Sequence, residues 1–178
     1  MPDAPFGTFT EAWPATERPD LLAEPVAAVI ASLEGAVVVD TDPEVADTAA
    51  FCERYGVTME ESANCVVVAA KRGGETTLAA CVVLAHTRAD VNGFVRRHLG
   101  ARKASFAPRE IAVAESGMEF GGITPVGLPD SWPLLIDRAV LDVPWAVIGS
   151  GVRRSKILVP GKSLAGLPGA QVLDGLAG

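Results

Sequence analysis

From residue 24 onward the apolar positions fall into short blocks with two distinct periods. Val26, Val29, Ile30 and Leu33 recur at helical spacing. Glu24 and Pro25 suit an N-cap and first helical position ahead of them, and Gly35 a stop. Residues 37–39 read as a strand. Asp42-Pro43 opens a second helix, with Val45, Ala49, Cys52 and Tyr55 as its inner face and Gly56 as its end. Residues 65–70 and 78–85 are apolar without alternation and are split by KRGGE. That predicts a β-hairpin on a Gly-Gly turn, central in its sheet because both faces are apolar. Asp90 caps a third helix with Val91, Phe94, Val95, His98 and Leu99 on one face, Arg96 and Arg97 on the other, and Gly100 at its end. Pro108 opens a fourth helix over 111–115, closed by Gly117. Strands follow at 134–136, 145–148 and 157–159, then a helical turn at 164–167 and a last strand at 172–173. No internal repeat and no low-complexity tract is visible. Mixed order, with hairpins as well as crossovers, predicts an α/β fold: a mixed sheet flanked by helices.

Residues 1–24 break this pattern. They are rich in proline and acids with scattered aromatics (Phe6, Phe9, Trp13), and read as an irregular arm on the body or a mobile tail. The expected division is therefore an N-terminal extension and first helix over 1–35, and the main domain over 36–178.

Composition narrows the classes. At 178 residues, 49% hydrophobic and 21% charged, the chain can bury the core of one domain. No apolar run reaches the ~18–20 residues that span a bilayer. The N-terminus lacks a basic stretch followed by an apolar one, so the expected location is cytoplasmic. Cys52, Cys65 and Cys81 are too far apart for a CxxC pair, and the latter two fall in predicted strands. Buried free thiols in a reducing compartment are expected. The net charge of −7 argues against an all-over nucleic-acid binder. The charge is unevenly spread, however. Residues 1–60 hold twelve acids and two bases, whereas the rest hold ten acids and thirteen bases. The later part can still meet a phosphate backbone locally.

The densest candidate chemistry is SGMEFGGITPVG, residues 116–127, with four glycines and a proline. Gly121 and Gly122 allow a ligand close to the main chain, and Pro125 stiffens the loop. An ordinary turn is the competing reading. Asp137 sits in an apolar strand context, either as an acceptor for backbone amides or as a contact for a substrate amine. His86 and His98 are far apart in the sequence and form neither a nucleophile–base pair nor a metal set; both read as structural. Thr124 and Ser150 lie in glycine-flanked turns, where they orient a water or ligand or merely satisfy turn chemistry. Arg96, Arg97, Arg102 and Lys103 form one basic cluster, and Arg153, Arg154 and Lys156 a second. Each is either a solvated face or a contact to phosphates.

Taken in order, these pieces resemble the YbaK/prolyl-tRNA-editing family, also called the aminoacyl-tRNA synthetase-associated domain. The likeness rests on the Asp42-Pro43 helix ending in RYGV, the hairpin around 66–83, DVNGFVRRHLGARKASFA before a Pro-started helix, SGMEFGGITPVG, and finally LLIDRAVLD and VIGSGVRRS. It covers roughly residues 36–175. The resemblance implies a compact α/β domain with a bent mixed sheet and a pocket at the glycine loop. Its members hydrolyse the ester between a wrongly attached amino acid and the terminal adenosine of tRNA, by water attack, without metal or organic cofactor. The implied partner is the tRNA acceptor end, not DNA or a membrane. The resemblance makes Gly121, Gly122, Ile123, Thr124 and Pro125 the implied substrate loop; beside them Asp137, Ser150 and Gly151 are candidate substrate contacts, and Arg153 and Arg154 candidate tRNA contacts.

The chain departs from the family at its reactive groups. The family lysine at the start of the first hairpin strand is replaced here by Asn64, which has no charge. Lys71, roughly 20 Å along an extended strand, is a poor substitute. A family tyrosine is missing near Val39, and a family acid after the Gly-Ser-Gly turn is replaced by Ser155 or Lys156. Lys156 is a candidate to bring an ammonium into the pocket. Three functions compete: an aminoacyl-tRNA deacylase with Asn64 in its site, a catalytically inactive binder of aminoacyl-tRNA or an aminoacyl-adenosine-like ligand, and an interaction module whose acidic N-terminal third docks a synthetase. Deleting residues 1–24 is expected to end such docking while the fold remains.

Overall fold

A computed structural model describes residues 7–178; Phe6 and the rest of the first six residues lie outside it. In chain order the elements are β1 (Ala12–Pro14), α1 (Glu24–Ala27), β2 (Val37–Asp40), α2 (Thr48–Tyr55), β3 (Ala63–Arg72), β4 (Glu75–Leu84), α3 (Arg96–His98), β5 (Lys103–Phe106) and α4 (Arg109–Ser116). They are followed by β6 (Leu134–Asp137), α5 (Arg138–Leu141), β7 (Ala146–Gly149), β8 (Ser155–Val159) and β9 (Ala170–Leu173). The strands form two sheets: one of order β1-β2-β8-β7, antiparallel throughout, and one of order β5-β3-β4-β6-β9, in which β6 is parallel to both neighbours. The sheets meet at a bridge between Ser62 and Val147. This is the expected mixed α/β architecture, with the sheet divided in two at the bend.

The β3–β4 hairpin is central, as the two apolar runs predict. Its ten-residue strands pair along their whole length from Ala63–Leu84 to Arg72–Glu75. Gly73 and Gly74 join them with φ of +58° and +83°, the left-handed pair that a two-residue hairpin turn requires. Val67, Ala80, Val82 and Ile136 of this sheet face Val38, Ile157 and Val159 of the other across the main core. A second cluster lies beneath α2, where Phe51, Cys52 and Tyr55 cover Val39, Val147 and Leu158.

Several elements differ from the sequence expectation. The first helix is a single turn (Glu24–Ala27) followed by a separate 3₁₀ turn at Ile30–Ser32. The second begins as a 3₁₀ turn at Pro43–Val45 and becomes α-helical only at Thr48. That break rotates the inner face: Phe51 is buried and Ala49 is exposed. The third opens with a π-helical turn at Val91–Val95, whose Gly93 N–H is held by the Asp90 carboxylate at 3.1 Å. The wider turn leaves His98 exposed, beside Gln171 at 2.8 Å, and not on an inner face. The described part of the arm lies on the body. β1 pairs with β2, and Leu21, Leu22 and Ala23 are buried in the main core. Removing residues 1–24 therefore removes core side chains, so the fold is not expected to survive that deletion intact. No described helix is long and apolar enough to cross a membrane.

Candidate active site

A cleft of about 540 Å³ opens where the two sheets diverge beside β3. β5 pairs with β3 only from Val68 onward, and β7 bridges to Ser62, the residue just before the strand. Between those contacts the outer edge of β3, from Ala63 to Val66, forms one wall. The turn entering α2, the first residues of α4, the glycine loop at Gly121 and Ile123, and the end of β7 form the others.

Lys156 supplies the charge. Strand alternation along β8 turns Ile157 and Val159 into the main core and leaves Lys156 and Leu158 on the face beneath α2. Lys156 is only 9% exposed, yet it reaches the cleft. Its Nζ lies 3.4 Å from the carbonyl oxygens of both Ala46 and Gly121, and 5.4 Å from the centre of the Phe51 ring. No carboxylate pairs with it among the described residues. Burial, reinforced by the positive charge of Arg153, lowers its pKa to about 8; Asp47 and Cys52 oppose the shift. At neutral pH the group is therefore an ammonium that gives up its proton far more readily than an ordinary lysine.

Asn64 lies on the opposite wall, half-buried at the start of β3. Its Oδ1 accepts a hydrogen bond from Thr48 Oγ1 at 3.0 Å. That bond leaves the side-chain NH2 as the donor end. Asn64 and Lys156 belong to different sheets, and the entry to α2 ties them together, with Thr48 on one and Ala46 on the other.

The glycine loop serves the site partly as a support. Gly122 is buried behind the cleft wall, where a Cβ would stand 2.7 Å from the Val152 carbonyl oxygen. Its own carbonyl accepts from Gly151 N–H at 2.7 Å, and the Gly151 carbonyl accepts from Glu119 N–H at 2.8 Å. Close backbone packing against Val152 requires a glycine at 122, and a left-handed φ of +89° with the Ala23 and Val26 side chains alongside requires one at 151. Ser150 Oγ lies 3.0 Å from the Ser155 carbonyl oxygen and 3.1 Å from that of Val152, which pins the same turn. The Arg153 guanidinium donates to the carbonyls of Phe120 (3.2 Å) and Pro43 (3.1 Å), clipping the loop to the entry of α2. Arg154 is exposed, 3.7 Å from Asp40.

Of the residues singled out from the sequence, Asn64, Lys156, Gly121 and Ile123 line the cleft together. Gly122, Thr124, Pro125, Ser150 and Gly151 stand behind its wall; Thr124 is fully buried, and its Oγ1 has no hydrogen-bond partner among the described residues. Asp137 is buried at the junction of β6 and α5 and is not among the cleft residues. Sequence reasoning missed Thr48, Phe51, Phe106, Arg109 and Phe120, all of which line the cleft. Phe106 is 63% exposed and Phe120 44%, and the Arg109 guanidinium lies 4.1 Å from the centre of the Phe120 ring. The available signal was the aromatic in the middle of the glycine loop. Cys65, half-buried, also faces the cleft, but burial raises its thiol well above the ordinary range. Cys81, behind the sheet, is pushed up to about 12 for the same reason. Neither is poised as a nucleophile. Among the described residues no group of three His, Cys, Asp or Glu could hold a metal ion.

Comparison with known proteins adds the family. The family model described as the aminoacyl-tRNA editing domain matches residues 42–167. No curated protein gives a significant match. Among solved structures, the fold is similar to that of a protein described as a candidate trans-editing enzyme for prolyl-tRNA synthetase. That likeness has a TM-score of 0.72 at 23% identity and covers 85% of this chain and 94% of the other. A hypothetical protein is similar at TM-score 0.73 and 20% identity, covering 84% and 95%. At these identities the two structures speak for the fold.

Proposed function

Because the chain belongs to the aminoacyl-tRNA editing domain family, we propose that it hydrolyses the ester joining a mischarged amino acid to the terminal adenosine of tRNA, acting in trans. The observation that supports this most is the buried ammonium of Lys156 in the cleft, which is in no ion pair among the described residues. Water adds to the ester carbonyl carbon and the carbonyl π pair moves onto oxygen. The added water gives up a proton, and the tetrahedral intermediate collapses by breaking its bond to the ribose oxygen, which takes up a proton. The proton from water makes good the one delivered to the ribose, and the acid product ionises to carboxylate with net release of one proton. Lys156 faces the developing oxyanion as an ammonium, in a site where little water competes. With a pKa near 8 it is also an apt proton donor to the leaving ribose oxygen. The Asn64 NH2 orients the aminoacyl group. Phe106 and Phe120 at the mouth offer flat faces to the adenine base. In this reading Lys156 replaces, from the opposite wall, the charge that the family keeps at the position of Asn64.

The test is deacylation of a panel of mischarged tRNAs. Turnover of at least one supports the reading and names the amino acid. No turnover anywhere removes it in favour of a binding protein, the alternative that Asn64 at the family lysine position favours. Asn64→Lys separates the two. Activity appearing only in that variant would mark a pocket that binds without reacting.

Arg153 gives a further check. Replacing it with Met removes the positive charge that helps to lower the Lys156 pKa. The alkaline limb of kcat/KM, where the ammonium is lost, is then expected to move to higher pH than in the wild type. An unmoved limb would mean that Lys156 is not the group being titrated.

A further inference from the structure

The β3–β4 turn and the end of α3 build a second feature, on the opposite end of the hairpin from the cleft. A shallow concavity there is lined by Arg72, Gly73, Arg97, Gly100, Ala101 and Arg102. Arg97 and Arg102 belong to a cluster visible in the sequence, but Arg72 is brought to them only by the fold, through its guanidinium bond to the Gly100 carbonyl at 3.0 Å. Lys71 and Lys103 are cross-strand neighbours beside it. Lys71, Arg72, Arg97, Arg102 and Lys103 are exposed, and none of the five is in an ion pair among the described residues. Glu75 stands opposite Arg72 in the register without forming such a pair. Like charges gathered without an ion-pair partner repel one another, and a polyanion relieves that repulsion. The concentration of positive charge is notable in a chain whose net charge is −7.

We infer that this concavity binds the phosphodiester backbone of the RNA whose 3′ end enters the cleft. The inference rests on the proposed reading of the cleft for the identity of that RNA. β3 measures the relation between the two sites. Val67 lines the cleft and Arg72 the concavity, five residues apart, or roughly 17 Å at ~3.3 Å per residue. A nucleic-acid strand covers that distance in a few nucleotides. β5, antiparallel to β3, links the same two places, from Lys103 beside the concavity to Phe106 in the cleft. A strand anchored at the arginines would therefore pass along the sheet edge toward the exposed aromatic rings.

The test is the salt dependence of binding to deacylated tRNA, which does not require turnover. Each phosphate contact contributes about 0.7–0.9 to the slope of log affinity against log salt. The double variant Arg97→Gln, Arg102→Gln is expected to bind several-fold more weakly and to lower the slope by about 1.5. A slope equal to that of the wild type, or no wild-type binding at low salt, overturns the inference. The two proposals fail separately. Active deacylation with an unchanged slope removes only the RNA contact. A reduced slope in a protein that deacylates nothing removes only the reaction.

Discussion

Lys156→Met is expected to lower kcat/KM for deacylation by about 10²–10³-fold, the usual loss for one preorganised donor to an oxyanion, while making the fold more stable. The two effects share one cause. Folding takes the ammonium out of water and offers only two carbonyls at 3.4 Å and a ring face in return. The pKa falls from 10.5 to about 8, so the charge costs on the order of 3 kcal/mol at neutral pH. The sign follows from proton binding. Between pH 8 and 10.5 the unfolded chain holds a proton on this lysine that the folded chain has released. Wild-type stability therefore rises with pH through that window. Methionine fills the space beside Phe51 without the charge. The variant is expected to be more stable by about 2 kcal/mol at pH 7 and to lack the alkaline rise. Denaturant unfolding at pH 7 and pH 10, beside single-turnover deacylation, checks both halves. A Met variant that keeps wild-type activity would refute the role given to Lys156. One that is less stable would refute the account of its burial.

Gly149→Ala is expected to damage both stability and activity. A Cβ there would lie 2.5 Å from the Gly122 oxygen and 2.7 Å from the Ile123 oxygen. Both are backbone atoms of the loop that carries Gly121, and no flexible side-chain end can swing away. Relief requires moving the loop or β7, where Gly149 pairs with Lys156 itself. Overpacking of this kind costs about 1–3 kcal/mol. A shift of about 1 Å at the reacting groups can cost about 10²-fold in rate. Gly166→Ala is the internal control: a Cβ there meets nothing within 4 Å, and that position has no unusual backbone angle. A drop in melting temperature and in kcat/KM for Gly149→Ala but not for Gly166→Ala is the expected pattern. Equal behaviour would mean that the loop is not held by this contact.

The parts of the fold legible in the sequence are those in which side-chain pattern and turn chemistry agree. The β3–β4 hairpin combines two apolar runs with the glycine pair its turn demands, and β2, β6, β7 and β8 are short apolar runs with buried neighbours. β1 and β5 escaped notice because edge strands need little alternation: AWP contains a proline, and KASF buries only Ala104. The first four helices fall where the pattern puts them, but the first three are not continuous, since a hydrophobic period does not distinguish one helix from a helical turn followed by a 3₁₀ turn; the single turn of α5 is too short to show a period. For the site, Asn64 and Lys156 could be picked out one at a time, but their enclosure of one cleft depends on how the two sheets diverge. Thr48, Phe106 and Arg109 carried no local signal, because their placement comes from contacts between elements far apart in the chain. The same holds for Arg72, which joins Arg97 only through the hairpin.

The short first strand has a consequence for handling the protein. β1 lies along the outer edge of β2, opposite Val37, Val38 and Val39. Without it, three consecutive valines would present open backbone hydrogen-bonding groups, the arrangement by which sheets of separate molecules add to one another. β1 ends at Pro14, which has no N–H to offer a newcomer. The segment thus works as a selvedge that keeps the four-stranded sheet from unravelling into intermolecular growth. A chain cut back to residue 16 should scatter light at concentrations where the full chain stays clear.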